Sequence, residues 1–355
     1  MNLSKKKIIV SVSLILLLAV FIMALGFTGG TEEVFLLNFT PTIKEEKLSN
    51  RQVYLGGQPI GVEVRPNGLL VESILPVVTA EGVQTPLADS DIKKGDLLKK
   101  INGNEVYSSE DIANVISQVD KNNIELSMIR NGVPYTAFVK AEKDSISGEF
   151  KIGLSVSDAT DGIGTLTFID TKDGRFGALG HPISDVYCKD GTTAVNGFIC
   201  DANIFSVYKG KKNSAGELVG NLVKEVKLGS IDTNETQGIF GNYSGDTSGL
   251  KKINVASCKS VKPGKAQIVS SAFTGIPTYY DIEIIKACKQ DKDKPKGILY
   301  RVTDERLIKL CGGIVQGMSG SPIVQKGKLI GAVTHVFLAD STKGYGTYID
   351  WMIDK

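Results

Sequence analysis

One serine-containing turn and two histidines indicate that this chain could perform covalent catalysis. The turn reads Gly317-Met318-Ser319-Gly320-Ser321-Pro322 and leads into a β-hairpin pattern over residues 323–333. Glycine at the first position allows a tight turn in which the N–H groups of Gly317 and Ser319 can converge on a developing oxyanion. The pattern predicts that Ser319 is the nucleophile. Ser321 is a second serine of the same turn, but it does not occupy the nucleophile position.

A serine hydroxyl needs a general base, and His181 and His335 are the only 2 histidines of the chain. His181 stands in Gly180-His181-Pro182 directly after an apolar segment, where a side chain can face a cleft. We therefore predict His181 as the base. His335 lies inside the apolar segment 332–338, where it either packs as a structural residue or lines the substrate pocket.

The third group would be a carboxylate that orients the base, and the sequence offers two candidates. Asp185 follows His181 closely along the chain. Asp304 comes shortly before Ser319, at the end of a predicted strand from which a turn could carry it back to the site. Spacing alone leaves both candidates open.

The composition favours neither metal nor nucleic-acid chemistry. The 5 cysteines contain no Cys-x-x-Cys pair, and with 2 histidines a structural zinc site is not expected. We predict no metal and no cofactor. The formal net charge of +2 gives no general attraction for nucleic acid. We expect mostly buried or free thiols, with one disulfide as the alternative.

The amino terminus carries a membrane-targeting pattern. Lys5-Lys6-Lys7 precedes an uncharged run from Ile8 to Phe27. As a helix rising about 1.5 Å per residue this run would span about 30 Å, enough to cross a bilayer. The lysines predict a cytoplasmic amino terminus and an exported body. We expect a cytoplasmic stub and transmembrane anchor over residues 1–28, with a cleaved signal peptide as the alternative.

A spacer over residues 29–50 and a small β-rich domain over residues 51–142 are expected next. The domain contains short apolar strands, a helical pattern over residues 109–119 that Ser109 can cap, and the hairpin signal Asn131-Gly132. This order of elements resembles the PDZ domains of bacterial exported proteases.

The PDZ resemblance implies a peptide-binding loop. In that family a glycine-containing loop presents N–H groups to the terminal carboxylate of a peptide, which then adds as a strand to the sheet. The matching residues here are Gly57, Ile60 and Gly61, although Pro59 removes one donor from the loop. The alternative is a domain that packs on its neighbour without binding peptide.

Residues 143–355 are predicted to form the serine protease domain. Short strands and tight turns dominate its pattern, and the main helical candidate is the short segment 218–226. This favours an all-β barrel or sandwich, and a nucleophile turn that precedes a hairpin is typical of chymotrypsin-like proteases. The predicted fold class is mainly β, with a transmembrane helix, a PDZ-like domain and a chymotrypsin-like β-barrel-type domain.

Several segments together resemble the S55 peptidase family of endospore-forming bacteria. They are residues 180–185, 302–304, 312–322 and 331–336. The resemblance extends over nearly the whole chain and implies a His181–Asp304–Ser319 triad. Met318 stands where chymotrypsin-like digestive enzymes carry an aspartate, so activation by a salt bridge to that position is not available.

The resemblance also implies a function. The chain would be a regulatory serine endopeptidase that cleaves itself and a membrane-bound regulator of sigma-K processing, in forespore to mother cell signalling. Its catalytic part would face the space between the two membranes around the forespore. The alternative is a PDZ-containing membrane adaptor with an inactive protease domain. The complete set of histidine, aspartate and serine favours the enzyme.

Overall fold

A computed structural model describes residues 48, 51–183, 194–290, 294 and 296–355. All described residues belong to one compact unit, Ile43–Lys355. Among them, no helix has the length and apolarity needed to cross a membrane. The predicted anchor, residues 1–28, lies outside the described residues, as does the predicted spacer apart from Leu48.

The described residues form mainly β-strands. In chain order the strands are β1 (Gln52–Leu55), β2 (Pro59–Arg65), β3 (Leu69–Ile74), β4 (Val77–Thr79), β5 (Gly82–Gln84), β6 (Leu97–Ile101), β7 (Asn104–Glu105), β8 (Ile124–Arg130), β9 (Val133–Val139), β10 (Glu142–Lys143), β11 (Phe150–Lys151), β12 (Leu154–Ser157), β13 (Thr160–Asp170), β14 (Arg175–Ala178), β15 (Ala194–Tyr208), β16 (Gly216–Glu235), β17 (Gly238–Tyr243), β18 (Lys252–Val255), β19 (Gly264–Ser270), β20 (Thr278–Ala287), β21 (Ile298–Val302), β22 (Val315–Gln316), β23 (Pro322–Gln325), β24 (Lys328–Phe337) and β25 (Asp340–Tyr348). The helices are α1 (Ser109–Gln118) and α2 (Glu305–Cys311), with short 3₁₀ helices at Cys258–Ser260 and Ile349–Trp351.

Six strands close into a first barrel, in the order β2, β13, β14, β17, β16, β15 and back to β2. All of these pairings are antiparallel. Because side chains alternate between the two faces of a strand, every second residue points inward. Ile60, Val62, Leu166 and Ile239 are among the fully buried residues of this core.

A second barrel closes in the order β24, β23, β19, β20, β21, β25 and back to β24. Its core contains Ile268, Tyr300, Ile323 and Val333, all with no exposed surface. The two closed barrels confirm the prediction of a mainly β, barrel-type protease domain. The segment 218–226, a helical candidate in the sequence, instead belongs to the long strand β16.

Two strands join the barrels into one continuous sheet. β1 pairs with β13 of the first barrel and with β18, which in turn pairs in parallel with β24 of the second barrel. A hydrophobic cluster that includes Phe168, Phe240, Val324 and Leu329 packs between the barrels. The relative position of the barrels is therefore fixed by hydrogen bonds as well as by apolar packing.

The small β-rich domain is an insertion in the first barrel. Its sheet runs β12, β3, β6, β8, β9, with β7 added to β6 and helix α1 packed on it. The insertion leaves β2 after Arg65 and returns at Thr160, which pairs with Val64. The sheet thus covers residues 69–157. The predicted boundaries of the PDZ-like domain, 51–142, and of the protease domain, 143–355, are therefore corrected, because the inserted sheet begins after residue 51 and ends after residue 142.

The peptide-binding loop predicted at Gly57, Ile60 and Gly61 belongs to the first barrel and not to the inserted domain. Gly61 pairs with Ile163 of β13 and with Cys200 of β15. A Cβ on Gly61 would lie 2.5 Å from Leu222 Cγ and 2.7 Å from Cys200 Sγ, so glycine is required by barrel packing. Since both sides of β2 are already paired, no edge is open there to a peptide strand.

Local signals inside the inserted domain were predicted more accurately, apart from the residue that caps its helix. Asn131 and Gly132 have φ values of 52° and 80°, which fit the type I′ hairpin expected of this pair. Helix α1 is capped by Ser108 and not by Ser109, because the Ser108 hydroxyl accepts the Asp111 N–H at 3.1 Å.

Candidate active site

One cavity of about 400 Å³ brings together the predicted base and the predicted nucleophile. His181 reaches it from the segment after β14, Ser319 from the turn before β23, and His335 from β24. Gly162 and Ile163 of β13 form a further part of the wall. The first barrel thus supplies the predicted base and the second barrel the predicted nucleophile.

The nucleophile turn depends on two glycines in the left-handed region. Gly317 has a φ of 92° and Gly320 has a φ of 94°. A Cβ on Gly320 would lie 2.1 Å from the carbonyl oxygen of Thr165 and 2.5 Å from the nitrogen of Leu179. The turn can therefore approach the first barrel this closely only with glycine at that position.

Two threonines of β13 hold the nucleophile turn from the first barrel. The Thr165 hydroxyl donates to the Gly317 carbonyl at 2.8 Å, and its backbone N–H donates to the Ser319 carbonyl at 2.9 Å. The Thr167 hydroxyl donates to the Gly320 carbonyl at 2.7 Å. Both side chains are buried, so these bonds form in a low-dielectric environment where an unpaired carbonyl would be costly.

The second barrel holds the same turn through β24. The Gly320 N–H donates to the Val333 carbonyl at 2.8 Å, and the Val333 N–H donates to the Ser321 carbonyl at 2.9 Å. The Ser319 hydroxyl donates to the carbonyl oxygen of Thr334 at 3.1 Å. The Ser319 side chain is thus accessible in the cavity, and its hydroxyl is hydrogen-bonded to a backbone carbonyl.

His181 is carried into the cavity by two consecutive left-handed residues. Leu179 and Gly180 have φ values of 68° and 69°. Leu179 is a buried non-glycine residue, and such backbone conformations cost about 1–3 kcal/mol and cluster at functional sites. Gly164 makes room for it, since a Cβ on Gly164 would lie 1.9 Å from Leu179 Cδ2.

The ring of His181 is oriented by a backbone carbonyl. Its Nδ1 lies 2.7 Å from the carbonyl oxygen of Pro182. Because a carbonyl oxygen can only accept, Nδ1 carries the proton in the neutral ring and Nε2 keeps its lone pair. This tautomer is the one that a base acting through Nε2 requires.

His335 lines the cavity beside His181. The two ring centroids are 5.6 Å apart, with planes tilted by 46°. His335 is exposed and not buried in the strand. Of the two interpretations left open by the sequence, the pocket-lining position is the one found in the structure.

Asp304 does not reach His181, which contradicts the expected His181–Asp304–Ser319 triad. Asp304 caps helix α2 and accepts the N–H of Arg306, the guanidinium of Arg306 and the N–H of Asp281. The hydrogen bonds from Arg306 lower the pKa of Asp304 to about 2. Its carboxylate is therefore committed to a structural role, and it is not among the residues that line the cavity. Asp185, the other candidate, lies outside the described residues.

The charges near the cavity are already paired within the first barrel. Asp161 at the cavity wall accepts Lys224 Nζ at 2.7 Å, and the same ammonium donates to buried Glu63 at 2.8 Å. Among the described residues no cluster of histidine, cysteine or acidic side chains could hold a metal ion. Burial raises the pKa of the Cys311 thiol to about 11, so this cysteine is a poor nucleophile at neutral pH.

Three residues of this site were missed in the sequence. Thr165 and Thr167 fit the alternating pattern of an ordinary strand, and Leu179 reads as the end of an apolar segment. The roles of the two threonines depend on partners more than 100 residues away in the chain, as for Thr165 with Gly317, where the separation is 152 residues. The Gly180 that follows Leu179 was the one local signal of an unusual backbone.

Comparison with known proteins shows the family of the chain. Residues 148–353 match the sequence profile of the family described as SpoIVB peptidase S55. The chain belongs to the S55 peptidase family. It is a serine peptidase. A search of curated proteins found no match.

Two solved structures resemble parts of this peptidase. The PDZ domain of an SdrC-like protein from Listeria monocytogenes shares 20% identity, with 26% of this chain and 90% of that chain covered and a TM-score of 0.21. An inactive serine-to-alanine mutant of Rv3671c from Mycobacterium tuberculosis shares 14% identity, with 53% and 76% covered and a TM-score of 0.27. At these TM-scores neither similarity supports an argument about the mechanism of this peptidase.

Proposed function

We propose that this chain is a membrane-anchored regulatory serine endopeptidase with Ser319 as nucleophile and His181 as general base. The observation that carries the proposal is the convergence of these two side chains in one cavity, each from a different barrel. Membership of the S55 family supplies the reaction class. No cofactor is needed, because the hydroxyl, the imidazole and backbone donors suffice for acyl transfer.

The proposed reaction follows the general course of serine peptidases. The Ser319 hydroxyl turns from the Thr334 carbonyl to Nε2 of His181, which takes its proton as Oγ attacks the peptide carbonyl. The N–H groups of Gly317 and Ser319 stabilise the oxyanion of the tetrahedral intermediate. His181 then protonates the leaving amine, and water hydrolyses the acyl-enzyme by the same steps in reverse order.

A backbone carbonyl contributes to the orientation of His181. The Pro182 carbonyl oxygen, 2.7 Å from Nδ1, favours the tautomer that carries its proton on Nδ1. Asp185 stays the carboxylate candidate for this role. Asp304 is no longer one, since its oxygens are occupied by Arg306 and Asp281.

We also propose the setting and the targets. The run from Ile8 to Phe27 after three lysines supports an anchor with the catalytic part outside the cytoplasm. The family resemblance implies that this space lies between the two membranes around the forespore. The proposed substrates are the chain itself and a membrane-bound regulator of sigma-K processing, with the inserted PDZ-like domain selecting them. The family resemblance supports this assignment.

The test uses the full chain in detergent micelles with a Ser319→Ala copy of the chain as substrate. We expect the wild type to cleave this copy, and Ser319→Ala and His181→Ala to lose cleavage by about 10³-fold or more. Ser321→Ala is the matched control, because the Ser321 hydroxyl is buried and has no partner among the described residues. Equal loss in Ser321→Ala would contradict the assignment of the nucleophile. A wild type that binds the copy without cutting it would favour the adaptor.

A further inference from the structure

The nucleophile turn is also contacted by the beginning of β16. Gly216 and Glu217 pair in parallel with Val315 and Gln316 of β22, the two residues directly before Gly317. β16 belongs to the first barrel, whereas the turn continues into the second. This short parallel pairing therefore fixes the backbone that leads into the proposed oxyanion hole.

Position 216 requires glycine because β15, the loop after it and β22 all approach it closely. A Cβ on Gly216 would lie 2.3 Å from the Tyr208 carbonyl oxygen, 2.4 Å from the Gly210 nitrogen and 2.6 Å from Val315 Cγ1. Real Cβ atoms do not approach backbone atoms so closely. The start of β16 is therefore held closely between the end of β15 on one side and Val315 of β22 on the other.

The next residue of β16, Leu218, packs directly under Gly317. A Cβ on Gly317 would lie 2.9 Å from Leu218 Cδ1 and 3.0 Å from Leu218 Cβ. Leu218 is 2% exposed and shares a core cluster with Val315 and Met318. Since Gly317 has no side chain and a φ of 92°, the orientation of its peptide depends on these neighbours.

We propose that residues 216–218 of β16 position the oxyanion hole, with Leu218 as the positioning residue for the Gly317 N–H. The proposal rests on the function proposed above. Met318 is fully buried in an apolar cluster and cannot accept a salt bridge as an aspartate would. In this chain, apolar packing from β16 fixes the backbone of the nucleophile turn, a role that a salt bridge to an aspartate has in the digestive enzymes.

The test compares Leu218→Ala with Ile284→Ala in the full chain. Ile284 is a buried residue of the same core cluster on β20, so its truncation matches the loss of apolar packing without touching Gly317. The substrate is an internally quenched peptide selected with the wild type, and the second probe is a boronate of the same peptide, whose tetrahedral adduct occupies the oxyanion hole. Leu218→Val, a smaller truncation, provides a variant that folds if Leu218→Ala does not.

We expect Leu218→Ala to lower kcat about tenfold or more and KM to change less than about twofold. Affinity for the boronate should fall in parallel with kcat, Leu218→Val should show a smaller loss of the same kind, and Ile284→Ala should keep kcat. Unchanged kcat and boronate affinity in folded Leu218 variants would overturn the proposal, as would an equal loss in Ile284→Ala. Failure of the proposed function is distinguishable, because the wild type itself would then not cleave in a Ser319-dependent way.

Discussion

The hydroxyl of Thr165 donates to the carbonyl oxygen of Gly317 at 2.8 Å across 152 residues of chain. This bond joins a strand of the first barrel to the turn that carries Ser319. It shows that the cavity between His181 and Ser319 is built by direct contact of the barrels and not only by their strand-to-strand linkage.

Replacement of Thr165 by valine should therefore affect both stability and catalysis. Valine keeps the shape but leaves the Gly317 carbonyl without its hydroxyl donor, at a cost of about 1–3 kcal/mol in the free energy of unfolding. We expect kcat to fall about tenfold as well, because the turn loses one of its supports. Denaturant unfolding and peptide cleavage measure the two effects. Thr165→Ser keeps the hydroxyl and should retain most of the stability and most of kcat. Equal losses of stability and kcat in Thr165→Ser and Thr165→Val would contradict the role of this hydrogen bond.

Replacement of Asp304 by asparagine should affect stability far more than activity. Asparagine can still cap helix α2, but it loses the ion pair with exposed Arg306 and one of the two acceptor oxygens, the one that Asp281 N–H needs, which together should cost about 1–2 kcal/mol. Its folded pKa of about 2 is below the ordinary value of 3.8, so this contribution is present above about pH 4 and is lost as the pH falls toward 2. Unfolding of wild type and Asp304→Asn over this pH range measures the difference.

The activity of Asp304→Asn distinguishes a purely structural role of Asp304 as a helix cap from a catalytic role in a triad. A true third member of a triad would cost about 10⁴-fold in kcat, whereas we expect a change of only a few fold. Asp185→Asn, measured beside it, tests the remaining carboxylate candidate. A loss of several thousandfold in folded Asp304→Asn would contradict the structural role given to Asp304.

Replacement of Gly320 by alanine should abolish activity through a steric clash. The new Cβ would lie 2.1 Å from the Thr165 carbonyl oxygen, so the nucleophile turn must move away from β13. Gly95 is a matched control, since its φ of 93° equals the 94° of Gly320 within a degree but nothing lies within 4 Å of its Cβ position. We expect Gly95→Ala to lose only about 1 kcal/mol of stability and to remain active. Similar activity in both variants would contradict the clash.

The inserted domain should be removable without loss of the barrels. Val64 pairs with Thr160, so Arg65 and Ala159 lie opposite each other and a two-residue Asn-Gly turn can replace residues 66–158. We expect a folded chain with a cooperative thermal transition and Ser319-dependent cleavage of a short peptide. A control that also removes Ala159 shifts the register by one residue and should misfold. Unfolding of the first variant would contradict the assignment of β2 to the barrel.

The nucleophile turn and the hairpin after it could be predicted from the sequence because their signals are local. Gly317 to Pro322 and Asn131-Gly132 each encode a backbone conformation within a few residues. The wrong predictions concern pairing over long distances. Gly61 suits a carboxylate loop or a barrel strand equally well, and only its register with β13 and β15 decides between them.

The same limit explains the incorrect third member of the triad. The position of Asp304 after a strand was predicted correctly, but its partner Arg306 is only two residues away and takes both carboxylate oxygens. An aspartate at a helix start has a local use as a cap that competes with any distant one. Thr165 and Leu218 gave no signal at all, since their neighbours in space come from other strands.

The insertion of the small domain between β2 and β13 also affects how the chain folds. The domain closes on itself, because Ser157 pairs with Leu70. Once it has formed, the loop between β2 and β13 shrinks from about ninety residues to about ten, which lowers the entropy cost of joining them by about 2 kcal/mol. Refolding followed by the fluorescence of Trp351, the only tryptophan, should therefore slow down when Leu126→Ala weakens the inserted core. The inserted domain would then also set the order in which the first barrel assembles.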